Sequence, residues 1–377
     1  MSKIINTRSP FYTKISADPL SSVELKVYIW TGLTTDRPAS PNYTLTKSEL
    51  DNNNYVVFEV SELLRDYLYT EYYTEAQDVI WVQWSYKIDS GSHTFGDYHL
   101  GVDGFGYFEE GINPRTSIDP QDASFTPMLL QDNLTVYYIK GEDIKLPIWA
   151  ETEPLIDFTF TGGAGVQWET VDDFWNNYEA TWNSSLDDVQ IIDNGNSNQK
   201  IQYVGIFPTD GIETGDTAVI TSTVVGEAQT QTITFKEICE PKFTPVRIIF
   251  YNKYGAIQDI WASKKSTKTL NQTSKTYNRN VIDLNTLSYS TYKHSDMRFD
   301  VQGQESISVN TTYLDESINE PVKQLLMSEQ VWLEIGNDTY PVVLTTSSVQ
   351  EKTSVNDKLV AYTFEFNFAY GKIQNVR

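Results

Sequence analysis

The chain has 377 residues, of which 28 are basic and 51 acidic, giving a formal net charge of -23 and a sequence pI near 4.4. This charge argues against binding to nucleic-acid phosphate or to an anionic membrane surface, and the length predicts two or three domains. A single cysteine excludes an intrachain disulfide framework, and three histidines leave little for metal sites or histidine-based catalysis.

Composition predicts a mainly β protein. The aromatic content of 13% and the many Thr and Val runs favour strands over disorder. We therefore expect two or three β-sandwich-like domains of the immunoglobulin or fibronectin kind, with short helices and a C-terminal α+β module. The N-terminus has no apolar signal region, and no stretch approaches the roughly 20 apolar residues of a membrane-spanning helix, so neither export nor a membrane span is expected.

The first predicted domain covers residues 1–113. Strands are expected at Val23 to Trp30, Tyr55 to Val60 and Val79 to Ile88, with a short helix capped by Ser61 after the second of them. The glycine-spaced segment from Gly91 to Gly111 is interpreted as turns with aromatic residues between them. It lacks the strand and helix context of a G-x-G-x-x-G motif, so no nucleotide site is predicted.

The second predicted domain covers residues 114–240. Short alternating segments separated by Gly, Asp and Asn predict a second sandwich, with strands at 134–139, 144–149, 156–161, 189–192, 200–207, 217–225 and 229–236. An insertion at 166–188 interrupts this rhythm and carries Trp168, Trp175 and Trp182. Core or interface packing is the first interpretation of these tryptophans, and a glycan-binding face is the alternative.

The third predicted domain covers residues 241–377 and begins with a hairpin at 246–263, whose turn ends on Gly255. Both faces of its strands carry apolar residues, so the hairpin is expected to be covered on both sides. A helix follows at 317–327, where Ser317 and Glu320 have capping-box spacing. Strands are then expected at 331–335, 340–346 and 358–370.

Charge is segregated along the chain. Between Glu49 and Glu240 there are roughly 34 acidic and 7 basic residues, whereas 241–300 carry about 10 basic and 4 acidic residues. This basic segment predicts a contact with an acidic neighbour, since charge complementarity steers assembly. The candidate interface residues, which also include aromatic anchors, are Arg247, Tyr251, Tyr254, Trp261, Lys264, Lys265 and Lys268.

Signals for chemistry are weak. No G-x-S-x-G motif is present, and the adjacent acids Asp172 and Asp173 point apart on a strand and lie about 100° apart on a helix, so they do not form a facing catalytic pair. His93, Asp97 and His99 match no familiar metal-ligand spacing. We therefore predict no catalytic residues, no metal site and no cofactor.

Three segments carry a resemblance to a known class of protein. They are RSPFYTKI at 8–15 followed by VELKVYIWTG, then CEPKFTPVRIIFYNKYGAIQDIW, and SVNTTYLDESINEPVKQLLMSEQVWLEI near the end. Together they resemble virion structural proteins of tailed bacteriophages that infect Bacteroidetes, including crAss-like phages, at the level of tail, collar or baseplate. The resemblance implies a multi-copy building block that is assembled in the host cytoplasm and becomes part of the virion.

Residues and resemblance lead to one principal hypothesis and one alternative. The principal hypothesis is a non-enzymatic virion subunit or adaptor that forms homo-oligomers and docks neighbouring virion proteins. The alternative is a carbohydrate-binding, receptor-binding β-sandwich protein of the virion or cell surface, with a glycan as its partner.

Overall fold

The structure is a computed structural model that describes residues 4–31, 34–50, 53–70, 76–77, 79–111, 113, 129–150, 155–159, 189–191, 200–206, 212–224, 226–238, 242–349 and 359–373. It is mainly β, with several sheets and short helices, which confirms the predicted fold class. The chain divides into two compact units. Unit 1 comprises residues 1–240, 250–259 and 317–328, and unit 2 comprises residues 241–249, 260–316 and 329–377.

The first part of unit 1 contains nine strands and one helix. They are β1 (Ile4–Asn6), β2 (Tyr12–Ser16), β3 (Ser22–Trp30), β4 (Tyr43–Ser48), β5 (Tyr55–Glu59), α1 (Ser61–Arg65), β6 (Tyr69–Thr70), β7 (Ala76–Gln77), β8 (Val79–Ile88) and β9 (Thr94–Val102). Five of the strands form a sheet in the order β1-β9-β8-β3-β4, in which only the β1–β9 pair is parallel. β2 pairs with β5, and β6 pairs with β7.

One face of the five-stranded sheet is covered by the β2–β5 ribbon and α1. Val23, Leu25 and Val27 alternate along β3 and are fully buried, as the period of two predicts for one face of a strand. They share one apolar cluster with Phe58 of β5 and Leu64 of α1, which are also fully buried. This cluster is the core of the first part of unit 1.

The second part of unit 1 contains seven strands in two sheets. They are β10 (Thr135–Tyr138), β11 (Ile144–Ala150), β12 (Leu155–Thr159), β13 (Val189–Ile191), β14 (Lys200–Ile206), β15 (Thr217–Val224) and β16 (Glu227–Glu237). Four form a sheet in the order β10-β16-β15-β12, and three form an antiparallel sheet in the order β11-β14-β13. Trp149, Ile220 and Phe235 are fully buried in this region.

The remainder of the chain contributes nine strands and a helix. They are β17 (Val246–Tyr251), β18 (Ile257–Ala262), β19 (Thr267–Asn278), β20 (Asp296–Asn310), β21 (Leu314–Asp315), α2 (Asn319–Met327), β22 (Val331–Ile335), β23 (Asp338–Leu344), β24 (Leu359–Val360) and β25 (Thr363–Phe368). Seven strands form a sheet in the order β18-β17-β22-β23-β25-β20-β19, and β21 pairs with β24. Phe364 and Phe366 of β25 are fully buried in it.

α1 begins at Ser61 as expected, but the residues that cap the two helices differ from the prediction. Val60 holds the cap position of α1, and Ser61 is the first helical residue, whose N–H and hydroxyl both donate to the Glu59 carboxylate. α2 begins at Asn319 after a 3₁₀ turn at 316–318. Its cap residue is Ile318, which makes no side-chain hydrogen bond to the helix. The Ser61 and Ser317 capping predictions were wrong because a nearby carboxylate or a tighter turn starts each helix instead.

Candidate interaction site: the β-arm

The structure places four of the predicted interface residues in the interior of the chain. Arg247 and Tyr251 of β17, Tyr254 of the turn and Trp261 of β18 each expose less than a tenth of their surface. The apolar pattern on both faces of these strands already predicted a covered hairpin, and neighbouring parts of the same chain supply that cover. Their burial leaves these four side chains little surface for another protein.

Arg247 is held inside unit 2. Its guanidinium lies 5.3 Å from the centre of the Trp261 ring, and its Nη1 is 3.7 Å from Glu334 Oε2. Arg247 is 2% exposed, so the ion pair and the aromatic face replace water around a charge that does not lose its proton. Arg247 therefore stabilises the sheet of unit 2.

The β17–β18 turn is anchored within unit 1 by side chains. Asn252 Oδ1 accepts hydrogen bonds from the N–H groups of Tyr254 and Ala256, and its Nδ2 donates to Leu130 O at 2.6 Å. Gly255 has φ +73°, and a Cβ there would lie 3.0 Å from Asp103 N. The turn thus needs a glycine both for its backbone conformation and for the close approach of residues 103–104.

Asp132 gathers a polar cluster around this turn. It accepts a hydrogen bond from Tyr254 Oη at 2.7 Å and from Gln324 Nε2, and it lies 3.2 Å from Lys253 Nζ. Burial and the Asp132 carboxylate raise the pKa of Tyr254, which keeps its hydroxyl protonated and able to donate. The cluster joins α2 and the hairpin turn to the segment that leads into β10.

Glu320 of α2 extends the same cluster. Its carboxylate accepts hydrogen bonds from Tyr107 Oη and Gln324 Nε2 and lies 3.4 Å from Lys323 Nζ. Burial alone raises the pKa of Glu320, but these hydrogen bonds and the lysine outweigh it and hold the pKa below its ordinary value. The polar groups of this arrangement are paired with one another, so the cluster holds α2 and the hairpin turn in position.

The three predicted interface lysines lie at the start of a long hairpin in unit 2. Lys264 Nζ is 3.6 Å from the centre of the Tyr313 ring, and Lys268 Nζ is 5.7 Å from that of Phe368. Lys265 and Lys268 are exposed, and Lys264 is half-buried. The hairpin consists of β19 and β20 with their connection, residues 267–310, and we call it the β-arm.

The outer part of the β-arm is a two-stranded ribbon. β25 pairs with β20 only at Ser306–Asn310, and Lys372 N donates to Gly303 O at 2.8 Å. Beyond that point, among the residues the structure describes, β20 at 296–302 pairs only with β19 at 273–278. This ribbon is about 20 Å long at the usual rise of a strand.

A bulge and an ion pair mark the middle of the ribbon. The register shifts between Thr273 and Lys275, and Asp300 has φ +49°. Lys275 Nζ lies 2.8 Å from Asp300 Oδ2, and this hydrogen bond lowers the pKa of Asp300 and raises that of Lys275. Such a bulge strengthens the twist of the ribbon and bends it.

The tip of the β-arm, residues 279–295, is closed by backbone hydrogen bonds and covered with exposed apolar side chains. Arg279 N donates to Ser295 O at 2.8 Å, and Asp283 N donates to Ser288 O at 2.9 Å. Leu287, at the far turn, has φ +45°, which is strained for a bulky side chain. The exposed apolar residues and their exposures are Ile282 51%, Leu284 75%, Leu287 81%, Tyr289 68% and Tyr292 80%.

The β-arm also differs in charge from the rest of the chain. Its basic residues are Lys268, Lys275, Arg279, Lys293 and Arg298, and its acidic residues are Asp283, Asp296, Asp300 and Glu305. Five minus four gives +1 for the arm, so the rest of the chain carries -23 minus +1, or -24. Basic and apolar groups thus occur together on an exposed element of an acidic protein.

Several residues singled out from the sequence lie outside the described part of the chain. Trp168, Trp175 and Trp182 are among them, as are Asp172, Asp173 and Cys239. The glycan-binding alternative therefore has no described geometry.

His93 and His99 make other contacts, and His99 lies in β9 instead of the predicted loop. His93 Nε2 lies 3.2 Å from Glu24 Oε1, and the buried His99 ring stacks on Trp84 with 4.0 Å between ring centres. Among the described residues, no group of three or more His, Cys, Asp or Glu side chains is placed to hold a metal ion. Within the same residues, no helix has the length and apolar character to cross a membrane.

Sequence reasoning identified the basic character of residues 264–298 but not the arm itself. β19 has Thr, Lys, Asn, Gln and Ser on both faces, so no period of two in hydrophobicity marks it as a strand. Its Thr content and the later rise in Leu and Tyr at 284–292 are the signals that could have indicated an exposed hairpin with an apolar tip.

Comparisons with known proteins do not indicate a function for this chain. No protein-family model matches the chain, and no curated protein matches it. Among solved structures, a chain described as Drosophila OTK, extracellular domains 3-5, is 9% identical, with 82% of this chain and 89% of that chain covered and a TM-score of 0.19. A TM-score this low does not indicate a shared fold, so no inference follows from it.

Proposed function

We propose that this chain is a non-enzymatic structural protein that is present in many copies in the virion of a tailed bacteriophage and works by docking neighbouring subunits. The observation that carries the proposal is the β-arm, whose outer ribbon and tip leave large apolar side chains in water. Tip residues Leu284, Leu287 and Tyr292 are at least 75% exposed. Clustered exposed apolar residues of this kind mark protein interaction surfaces.

The physical case for a partner comes from the stability of the ribbon. A two-stranded hairpin with no covered face is marginally stable in water. The Tyr277 and Phe299 rings meet at 5.7 Å on one face, yet both are nearly half exposed, and no other described strand continues the sheet there. A subunit that covers the arm supplies the buried area that the isolated chain lacks.

The phage assignment is supported by the resemblance of the three segments at 8–15 with the following strand, 239–261 and 308–335 to virion structural proteins. An exposed arm suits a tail, collar or baseplate subunit, because repeated subunits are joined by the same contact each time. Under this proposal the chain is assembled in the host cytoplasm and remains in the finished particle, and its partners are other copies and neighbouring virion proteins.

Particle composition tests the proposal. Particles of a phage whose genome encodes this chain are purified by density gradient. Their proteins are then quantified by mass spectrometry against a capsid protein of known copy number. We expect multiple copies of the chain in each particle. We also expect antibody labelling to locate these copies on the tail or neck. Particles that are infectious and lack the chain would overturn it.

A further inference from the structure

We infer that the tip of the β-arm, residues 279–295, binds the acidic surface of a second copy of this same chain. The inference rests on the proposed function and deepens it by naming the partner. It is carried by three observations: the exposed apolar side chains of the tip, the basic groups beside them, and the net negative charge of the chain outside the arm.

The apolar residues provide anchors. Leu284, Leu287 and Tyr292 expose 75%, 81% and 80% of their surface, so their removal breaks little packing within the chain. Leu287 is also held at φ +45°, which directs a large apolar side chain outward at a backbone cost. Tyrosine is enriched among the residues that dominate interface affinity, and exposed large aliphatic side chains beside it extend the apolar contact surface.

Charge selects the partner. Two copies that meet through their bodies bring together surfaces of the same sign, since the chain outside residues 267–310 carries -24. An arm that meets a body places Arg279 and Lys293 against that negative surface. In an assembly of identical chains, the arm-to-body contact is therefore the one that charge favours.

Pairing of two arms through their free edges is less suitable. Among the described residues, both strands of the outer ribbon have a free edge, and β19 carries Lys275 there while β20 carries Arg298. Charged side chains on an edge strand, lysine above all, oppose the addition of a further strand. The tip, which combines apolar groups with two cations, is the better contact element.

The first experiment replaces the tip. Asn278 and Asp296 are directly paired, so an Asn-Gly turn can replace residues 279–295 and leave the ribbon and the sheet in place. Sedimentation velocity of the full-length protein over a concentration series measures self-association. We expect the wild-type chain to associate and the tip-replaced chain to stay monomeric with an unchanged circular dichroism spectrum.

Point variants test the same contact without deleting any backbone. Each of Leu284→Ser and Tyr292→Ser should raise the dissociation constant of self-association about 30-fold if the residue is an anchor. Phe108→Ser is the matched control, because Phe108 is 97% exposed and lies outside the arm. Equal affinities for the anchor variants and the control would refute the anchor role.

Charge reversal tests the choice of partner surface. Arg279→Glu with Lys293→Glu should weaken self-association at least tenfold, whereas Lys140→Glu with Lys242→Glu, which changes the net charge equally at exposed sites outside the arm, should change it less than threefold. The wild-type affinity should also fall as salt rises from about 50 mM to about 500 mM.

Failure of the inference and failure of the proposed function are distinguishable. A wild-type chain that remains monomeric at its highest soluble concentration, or a tip-replaced chain that associates as the wild type does, overturns the second-copy inference. If the chain is nevertheless abundant in purified virions, the proposed function stands. If the chain is absent from them, the proposed function fails.

Discussion

Gly255→Ala offers a sharp test of how the β17–β18 turn is held in unit 1. Gly255 has φ +73°, and the methyl group of an alanine there would lie 3.0 Å from Asp103 N and 3.1 Å from Gly104 N. A left-handed conformation costs an alanine about 1–2 kcal/mol, and the contact with the backbone of residues 103–104 adds about 1–3 kcal/mol as overpacking. The expected loss in the free energy of unfolding is therefore about 2–5 kcal/mol.

Gly226→Ala is the matched control. Gly226 lies in the same unit with φ +74°, but no atom of the described residues other than its chain neighbours lies within 4 Å of the Cβ position. Its cost should be the conformational part alone, about 1–2 kcal/mol. Urea unfolding followed by tryptophan fluorescence measures both losses. Hydrogen exchange of the Phe105 amide, which donates to Lys253 O at 2.9 Å, reports the same contact locally.

Equal losses for the two variants would refute the reasoning. They would mean that the backbone of residues 103–104 moves away at no cost in free energy when residue 255 gains a methyl group. The geometry requires faster hydrogen exchange of the Phe105 amide in Gly255→Ala and an unchanged exchange rate in Gly226→Ala.

Three further predictions follow from other contacts. Arg247→Leu should destabilise unit 2 by about 2 kcal/mol, because Glu334 loses a charged partner, and thermal unfolding of the variant measures this. Because folding lowers the pKa of Glu320, its carboxylate stabilises the fold above its ordinary pKa of 4.5, and this stability is lost as the pH falls through the lower folded value. Glu320→Gln should therefore reduce the loss of stability at acid pH that urea unfolding measures. An unchanged pH profile would contradict this. Leu287→Asn should slow hydrogen exchange in the tip, because asparagine adopts a positive φ at a lower cost, while an exchange rate that rises would show that Leu287 packs locally.

Two strands were predicted to the residue. Val79–Ile88 and Val331–Ile335 have the predicted bounds, since each is bounded by polar or turn residues and has enough apolar residues to define a face. β9 was not predicted. Its Gly96 and Gly101 suggest turns, yet Gly101 lies where a Cβ would meet Ile80 at 3.0 Å, so close packing against β8 explains that glycine.

The candidate site was only partly predictable. The sequence showed that the residues after 263 are basic, but the pairing of β19 with β20 joins residues such as Thr267 and Ser308 that are far apart in sequence. Arg247, Tyr254 and Trp261 have the residue types of interface anchors, and composition alone does not distinguish an anchor for another protein from one for the same chain.

The sequence by itself determined the mainly β class, the position of most strands and the division of charge, because each depends on residue type and local period. Only the tertiary structure decided which aromatic and basic groups are buried and which are exposed. It placed the β17–β18 hairpin in the interior and left the β-arm in solvent, because burial depends on which distant segments of the chain pack against a strand. The interaction surface that we propose lies beyond residue 267, on an element whose strands carry almost no apolar pattern and whose tip carries the apolar groups.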